Sequence, residues 1–259
     1  MTSDQFVSKR MVPDSVENLA FTPDGERLFV AGSLDGFQEW QIDTLDLLKV
    51  FDAREARDLA ISPDGTVLAT LTGSTIKLWD LGSNKLLNIL SSHKDIITGL
   101  VFSPDGAMLA SVSGVVQGDV LYTSDNSLRL WDVRTGKQIA VLEGEDHLYS
   151  VAISPDGKLI ATGSSNGIIQ LWDAVAKVEL GSLTASPEII LSLAFSSDGS
   201  LLFAGDSGDT IYIWDVKAKE EVRKLTGHLG RINRLILNKD GTMLISSSDD
   251  GTVRAWAVN

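Results

Sequence analysis

The stretch VAISPDGKLIATGSSNGIIQLWD, residues 151–173, is one of six variants of a single unit, and that repetition constrains the fold more than any other feature of the chain. Its turn aspartate recurs as Asp24, Asp64, Asp105, Asp156, Asp198 and Asp240, at intervals of 40, 41, 51, 42 and 42 residues. Its tryptophan recurs as Trp40, Trp79, Trp131, Trp172, Trp214 and Trp256, and these six are all the tryptophans in the chain. A fixed period near 42 residues is the mark of a repeat architecture, in which each unit buries its apolar faces only against its neighbours.

Each period divides into strands joined by turn chemistry. TPDG, SPDG and SSDG begin with a small polar residue and end with glycine, which accepts the left-handed conformation a tight turn needs. NKDG in the last unit follows the same plan. A short apolar strand precedes each turn: ENLAF, RDLAI, TGLVF, YSVAI, LSLAF and NRLIL. These strands are apolar on both sides, which suits a sheet packed between two others. A second strand such as KLIATG, a polar turn and a third strand ending at the tryptophan come next. A fourth strand follows a loop, as in KQIAVL.

Four strands per period and Trp-Asp at 79–80, 131–132, 172–173 and 214–215 make the chain resemble the WD-repeat family along almost its whole length. The resemblance implies an all-β protein, a six-bladed β-propeller of four-stranded antiparallel blades. Family members most often have seven blades; counting here gives six. The sequence divides as one domain, 1–259, with repeats at approximately 13–52, 53–91, 92–143, 144–184, 185–226 and 227–259. The sixth repeat stops after its third strand, and DQFVSKRMV lies before the first. Residues 4–12 are therefore expected to close the ring by pairing with the strand around Val253–Val258, which would remove two free sheet edges.

The charge balance narrows the partners. Thirty-five acidic against 22 basic residues give a net charge of −13, with no run of lysine or arginine. That argues against nucleic acid and against an anionic membrane surface. There is no cysteine, so disulfides and thiolate metal sites are excluded. The start of the chain has no signal-peptide core, and no apolar stretch approaches membrane-spanning length. A cytoplasmic location and a monomeric propeller, alone or within a larger protein, are the expectation.

Several side chains invite a catalytic reading. In the family it resembles, a His before strand one, a Ser or Thr on strand two, an Asp in the next turn and the strand-three Trp form a buried hydrogen-bonded relay. The matching sets are His93, Ser111, Asp125, Trp131 and His228, Ser246, Asp250, Trp256. The fourth repeat offers Thr162, Asn166 and Trp172, while Ala31 and Ala204 stand for the serine in the first and fifth. A set that recurs is better explained by structure than by one activated nucleophile. No catalytic residue, metal or cofactor is assigned. Asn18, Asp58, Gly99, Ser150, Ser192 and Arg234 are expected near the axis, where they make a poor cation site. Asp206 and Asp209 resemble a calcium loop but are expected to form a solvated turn.

The partner surface is expected at the positions nine and seven residues before each turn Asp, which the family pattern puts at the lead-in to strand one on the top face. Residues found there include Glu17, Arg57, Ile96, His147, Tyr149, Ile189, Leu191, Arg231 and Asn233. Aromatic, arginine and aliphatic side chains in this mixture are what interface cores favour. The longer third repeat adds SGVVQGDVLYTSDNS, whose Leu121 and Tyr122 are further candidates for contact. The function expected is a non-catalytic scaffold or recognition module for a protein or peptide. A small-ligand binder or metal-dependent enzyme using the central channel is the alternative.

Overall fold

The computed structural model describes residues 16–32, 37–51, 58–114, 125–238 and 240–258, apart from the side chain of Glu17. The described residues form 23 strands and no helix, arranged as the six blade sheets of a β-propeller. They fall into two compact units, Met1–Leu90 and Ser91–Asn259.

The first unit holds two blades. Blade one is β1 (Val16–Phe21), β2 (Arg27–Gly32), β3 (Phe37–Gln41) and β4 (Leu47–Phe51), in that spatial order. Blade two is β5 (Asp58–Ile61), β6 (Val67–Thr72), β7 (Thr75–Asp80) and β8 (Lys85–Leu90).

The second unit holds four. Blade three is β9 (Ile97–Phe102), β10 (Met108–Ser113), β11 (Ser127–Asp132) and β12 (Gln138–Glu143). Blade four is β13 (Leu148–Ile153), β14 (Leu159–Ser164), β15 (Ile168–Asp173) and β16 (Val178–Thr184). Blade five is β17 (Ile190–Phe195), β18 (Leu201–Asp206), β19 (Ile211–Asp215) and β20 (Glu220–Leu225). Blade six has three strands among the described residues: β21 (Ile232–Leu237), β22 (Met243–Ser248) and β23 (Val253–Ala257). All described pairings are antiparallel between strands consecutive in sequence, as short hairpins require. The expected closing strand, residues 4–12, lies outside the described residues.

The recurring aspartate is what makes the first hairpin. In all six blades its Oδ1 accepts the amide two residues on at 3.0 Å. In blades two to five it also accepts the serine hydroxyl two residues back, at 2.6 Å. The following glycine takes φ between 70° and 75° in every copy, and its amide bonds the carbonyl that opens the turn. The Asp of Trp-Asp does a second job. In Asp80, Asp132, Asp173 and Asp215 it accepts the amide three residues on, at 2.6 to 2.7 Å, and so turns the chain into the fourth strand.

Within each unit, consecutive blades bury apolar faces by a constant rule. Each blade's trailing face offers the residues four before and five after the turn Asp, with those three and one before the tryptophan. Blade five uses Ala194, Phe203, Ile211 and Ile213. The next blade's leading face answers with the residues eight, five and three before its own Asp and four after it, here Ile232, Leu235, Leu237 and Leu244. Blade four on blade five and blade three on blade four repeat the rule with Ile169 and Ile190, and with Leu128 and Leu148. Hydroxyls stitch these junctions from within. Thr98 Oγ1 donates to Leu148 O at 2.6 Å, Ser150 Oγ donates to Ile190 O at 2.9 Å, and Leu235 N donates to Ser192 Oγ at 2.9 Å. In the first unit, Asn18 hydrogen-bonds Asp58 across blades one and two. Several of the positions expected near the axis thus join one blade to the next.

Candidate functional site

Two complete relays occupy blades three and six. His93 Nδ1 lies 3.1 Å from Asp125 Oδ2 and its Nε2 lies 2.8 Å from Ser111 Oγ, which accepts Trp131 Nε1–H at 2.9 Å. The distances for His228, Asp250, Ser246 and Trp256 are 2.7, 2.7 and 2.8 Å. A single proton order satisfies every group: imidazole Nδ1–H donates to carboxylate, serine O–H donates to Nε2, and indole N–H donates to serine. That order requires a neutral imidazole. Burial drives the pKa of His93 down to about 4, against the pull of the Asp125 carboxylate. Burial also opposes the charge on Asp125, yet the Ser127 hydroxyl, the Lys94 amide, His93 and Arg129 together hold its carboxyl below the ordinary value. Both relay histidines and serines are buried, so no substrate reaches them.

Three details differ from the sequence reading. Thr70 of blade two accepts the Trp79 indole N–H at 2.9 Å, as Thr162 does for Trp172, so the hydroxyl–indole half of the relay survives without histidine. In blade one the strand register puts Val30, not Ala31, at the serine position, and Trp40 turns instead to Gln38 Oε1 at 3.1 Å. Asp206 is not in a solvated turn. It is buried, and it accepts the Ser186 hydroxyl at 2.7 Å and the amides of Gly208 and Thr210. Ser186 stands at the relay-histidine position, but Gly208 stands at the relay-aspartate position, so the Ser186–Asp206 bond is a different pair and not a copy of the relay.

Blade five also leaves one group unmet. Trp214 Nε1 is buried without a hydrogen-bond partner because Ala204 fills the serine position. Ala204→Ser is expected to stabilise the protein by about 1 kcal/mol, the net worth of one restored hydrogen bond. A urea midpoint unchanged or lowered would contradict this.

The turn aspartates make stability fall in acid. Hydroxyl hydrogen bonds, then backbone amides, hold all six below the ordinary 3.8, with Asp198 lowered to about 2. Their contribution is full above pH 3.8 and is lost as pH falls through the folded values. His93 acts earlier, because the unfolded chain takes a proton near 6.5 that the native state refuses until about 4. Denaturation midpoints should be flat above pH 6.5, decline gently to pH 4 and drop steeply below it. His93→Gln should remove the gentle decline; its persistence in that variant would contradict the assignment.

The lead-in residues are held by one backbone bond repeated in each blade of the second unit. The carbonyls of Ile96, His147, Ile189 and Arg231 accept amides from Gly114, Ser165, Ser207 and Asp249, each 18 residues later, at 2.9 to 3.2 Å. Three of these positions meet in a pocket of about 500 Å³ across blades four to six. Blade four supplies His147, Tyr149 and Ser165, blade five supplies Pro187, Glu188, Ile189 and Ser207, and blade six supplies Arg231. His147 is oriented by Asn126 at 2.8 Å. Arg231 lies 3.5 Å from Asp249, which also accepts a bond from Asn233 at 2.6 Å. Burial and then Asp146 push the Tyr149 phenol upward, keeping it a neutral hydrogen-bonding group.

Four residues anticipated for the partner surface, His147, Tyr149, Ile189 and Arg231, are thus brought together. Leu191 lies half-buried on β17, and Asn233 is exposed beside Asp249 on blade six. Ile96 is 37% exposed on blade three, away from the pocket lining. The Glu17 side chain, Arg57, Leu121 and Tyr122 lie outside the described residues. Ser165, Pro187, Glu188 and Ser207 are not marked by the lead-in pattern; the signal for Ser165 and Ser207 is the turn 18 residues after a lead-in position, and for Pro187 and Glu188 their place just before Ile189. Among the described residues no group of three or more His, Asp or Glu is placed to hold a metal ion. Among them, too, no helix is long and apolar enough to cross a membrane.

The family model described as WD domain, G-beta repeat matches residues 46–80, 84–132, 136–173, 177–215 and 219–257. The chain belongs to the WD-repeat family. Each matched segment begins near a blade's fourth strand and ends one residue past the next blade's tryptophan, so the sequence repeat straddles two WD blades and ties them covalently. Periodic tryptophan protein 2 of Arabidopsis thaliana is 29% identical over 73% of this chain and 21% of its own length. WD repeat and SOCS box-containing protein 1 of Homo sapiens is 33% identical over 42% of this chain and 25% of its own. Protein groucho of Drosophila melanogaster is 27% identical over 61% of this chain and 21% of its own. The chain therefore spans about a fifth to a quarter of the length of these relatives. Membership of the WD-repeat family supports a protein-interaction scaffold as its general role.

Proposed function

We propose that the surface across blades four to six recognises a protein or peptide segment and carries out no chemistry on it. The observation that carries this reading is the convergence of His147, Tyr149, Ile189 and Arg231, from three consecutive blades, on one pocket. A residue that only maintained a blade would repeat from blade to blade, as the turn Asp does. His147, Ile189 and Arg231 differ while their backbone setting is constant. The walls are mixed: Ile189 and Pro187 offer apolar contact, Tyr149 and the two serines offer hydrogen bonds, and Arg231 offers a cation that Asp249 orients. Such a surface suits a segment with an apolar anchor flanked by a carboxylate. Rigid sheets hold the anchoring groups in place beforehand, so little entropy is lost on binding.

Changing Tyr149, Ile189, Leu191 and Arg231 together to alanine is the test. The expected result is an unchanged denaturation midpoint, with loss of the proteins that the wild-type chain retains from an extract of its own source. Identical retained proteins in both cases would refute the surface assigned.

A further inference from the structure

Charge limits what the pocket across blades four to six can hold. The segments that carry or adjoin its lining, residues 144–149, 165–167, 186–191, 207–209, 229–233 and 249–251, contain six carboxylates and a single Lys or Arg, Arg231. Arg231 is met by Asp249 at 3.5 Å, so that pair adds no net charge. Asp250 is taken up by His228 and by the Leu229 amide. Glu188 is different. It lines the pocket, is exposed, and has no Lys or Arg nitrogen within ion-pair distance among the described residues. The Ser207 hydroxyl donates to its Oε2 at 3.2 Å, a neutral bond that steadies the carboxylate without cancelling its charge.

A second carboxylate acts on the blade-four wall. Burial first and Asp146 second push the Tyr149 phenol upward, so the Asp146 charge is felt at a lining residue. The cavity of about 500 Å³ thus has two carboxylates without a cation, together with the apolar surface of Tyr149, Pro187 and Ile189. That combination fits a side chain with an aliphatic stem and a cationic head, since such a stem lies along apolar surface while its head meets an acid.

We infer that the segment recognised here inserts a lysine or arginine side chain into the pocket, with Glu188 as its counter-ion and the residue that sets specificity. This rests on the pocket being a protein- or peptide-binding surface and adds the chemistry of the side chain that fills it. A carboxylate elsewhere in the segment still pairs with Arg231. The net charge of −13 draws basic segments in at long range, and Glu188 selects among them at contact.

Arrays of N-acetylated, C-amidated octapeptides test this, random except for a fixed central lysine, arginine, norleucine or glutamate, and probed with the labelled chain. Lysine and arginine peptides are expected to bind about ten-fold more strongly than norleucine peptides, the worth of one charge-assisted hydrogen bond. Glu188→Gln should reduce that preference to less than about two-fold with no change in denaturation midpoint. Glu179→Gln removes the same charge from an exposed position on the outer strand β16 and should leave the preference intact. No excess of lysine or arginine over norleucine peptides would overturn the inference. So would equal losses in the two glutamine variants, since net charge alone would then be acting. If that happens while the joint alanine variant of Tyr149, Ile189, Leu191 and Arg231 still loses peptide binding, the pocket remains the binding surface and only its cationic occupant is refuted. Binding of every peptide class unchanged in the joint variant would refute the surface and the occupant together.

Discussion

Gly167→Ala is expected to destabilise the protein by about 3–5 kcal/mol, enough to unfold a marginally stable domain at moderate temperature. Gly167 closes the turn between β14 and β15 with φ +75°, a conformation that costs a side-chain-bearing residue about 1–2 kcal/mol. Space adds a larger penalty. A Cβ there would lie 1.6 Å from the carbonyl oxygen of Ser186 and 2.9 Å from that of Glu188. Both are backbone atoms, so no rotamer change relieves the overlap. The approach is close because the Gly167 carbonyl accepts the Ala185 amide at 3.1 Å, which docks the chain leading into blade five against blade four. The same segment continues into Pro187, Glu188 and Ile189, the middle wall of the pocket. Stability and binding should therefore fall together in this variant. Equilibrium urea denaturation checks the first, and a loss below 1 kcal/mol would mean that the two segments are not held this closely.

Ser111→Ala is expected to cost about 3–4 kcal/mol, far above the usual effect of removing one exposed hydroxyl. Ser111 is fully buried and serves two groups at once, accepting from Trp131 Nε1 and donating to His93 Nε2. Alanine leaves both without a partner in a site closed to water, at about 1–3 kcal/mol for each unsatisfied group. Ser111→Thr keeps the hydroxyl and should recover much of the loss. Blade five already shows what the variant would look like, with Ala204 beside an unpartnered Trp214 indole. A loss equal to that of an exposed serine, or no recovery with threonine, would show that the relay carries little energy.

The repeat was legible in the sequence because its two markers each have one physical job in every copy. The turn Asp collects amide and hydroxyl bonds in six hairpins, and the tryptophan anchors each blade's leading face. The histidine relays were legible through spacing. Thr70 is not legible through the full relay pattern because blade two lacks the histidine, although the indole needs only a hydroxyl. The serine position of blade one falls on Val30 and not on Ala31, as both the constant offset of six residues from the turn Asp and the strand register place it. Asp206 read as solvated because acidic turn residues usually are; its burial depends on Ser186, which comes from the chain ahead of β17, 20 residues earlier. The pocket was half legible. His147, Tyr149, Ile189 and Arg231 stood out by varying where the rest of the repeat is constant. Ser165 and Ser207 did not, because their place follows from bonds between lead-in carbonyls and turns 18 residues away, and Pro187 and Glu188 did not, because they lie just before the lead-in position.

Photo-crosslinking asks most directly whether blades four to six face a partner. A benzoylphenylalanine at Ile189 is compared with one at Val222, which is 58% exposed on the outer strand of the same blade. In an extract of the source cells, a discrete higher-mass adduct is expected from position 189 and none from position 222. Adducts at 222 alone, or the same products from both positions, would contradict it.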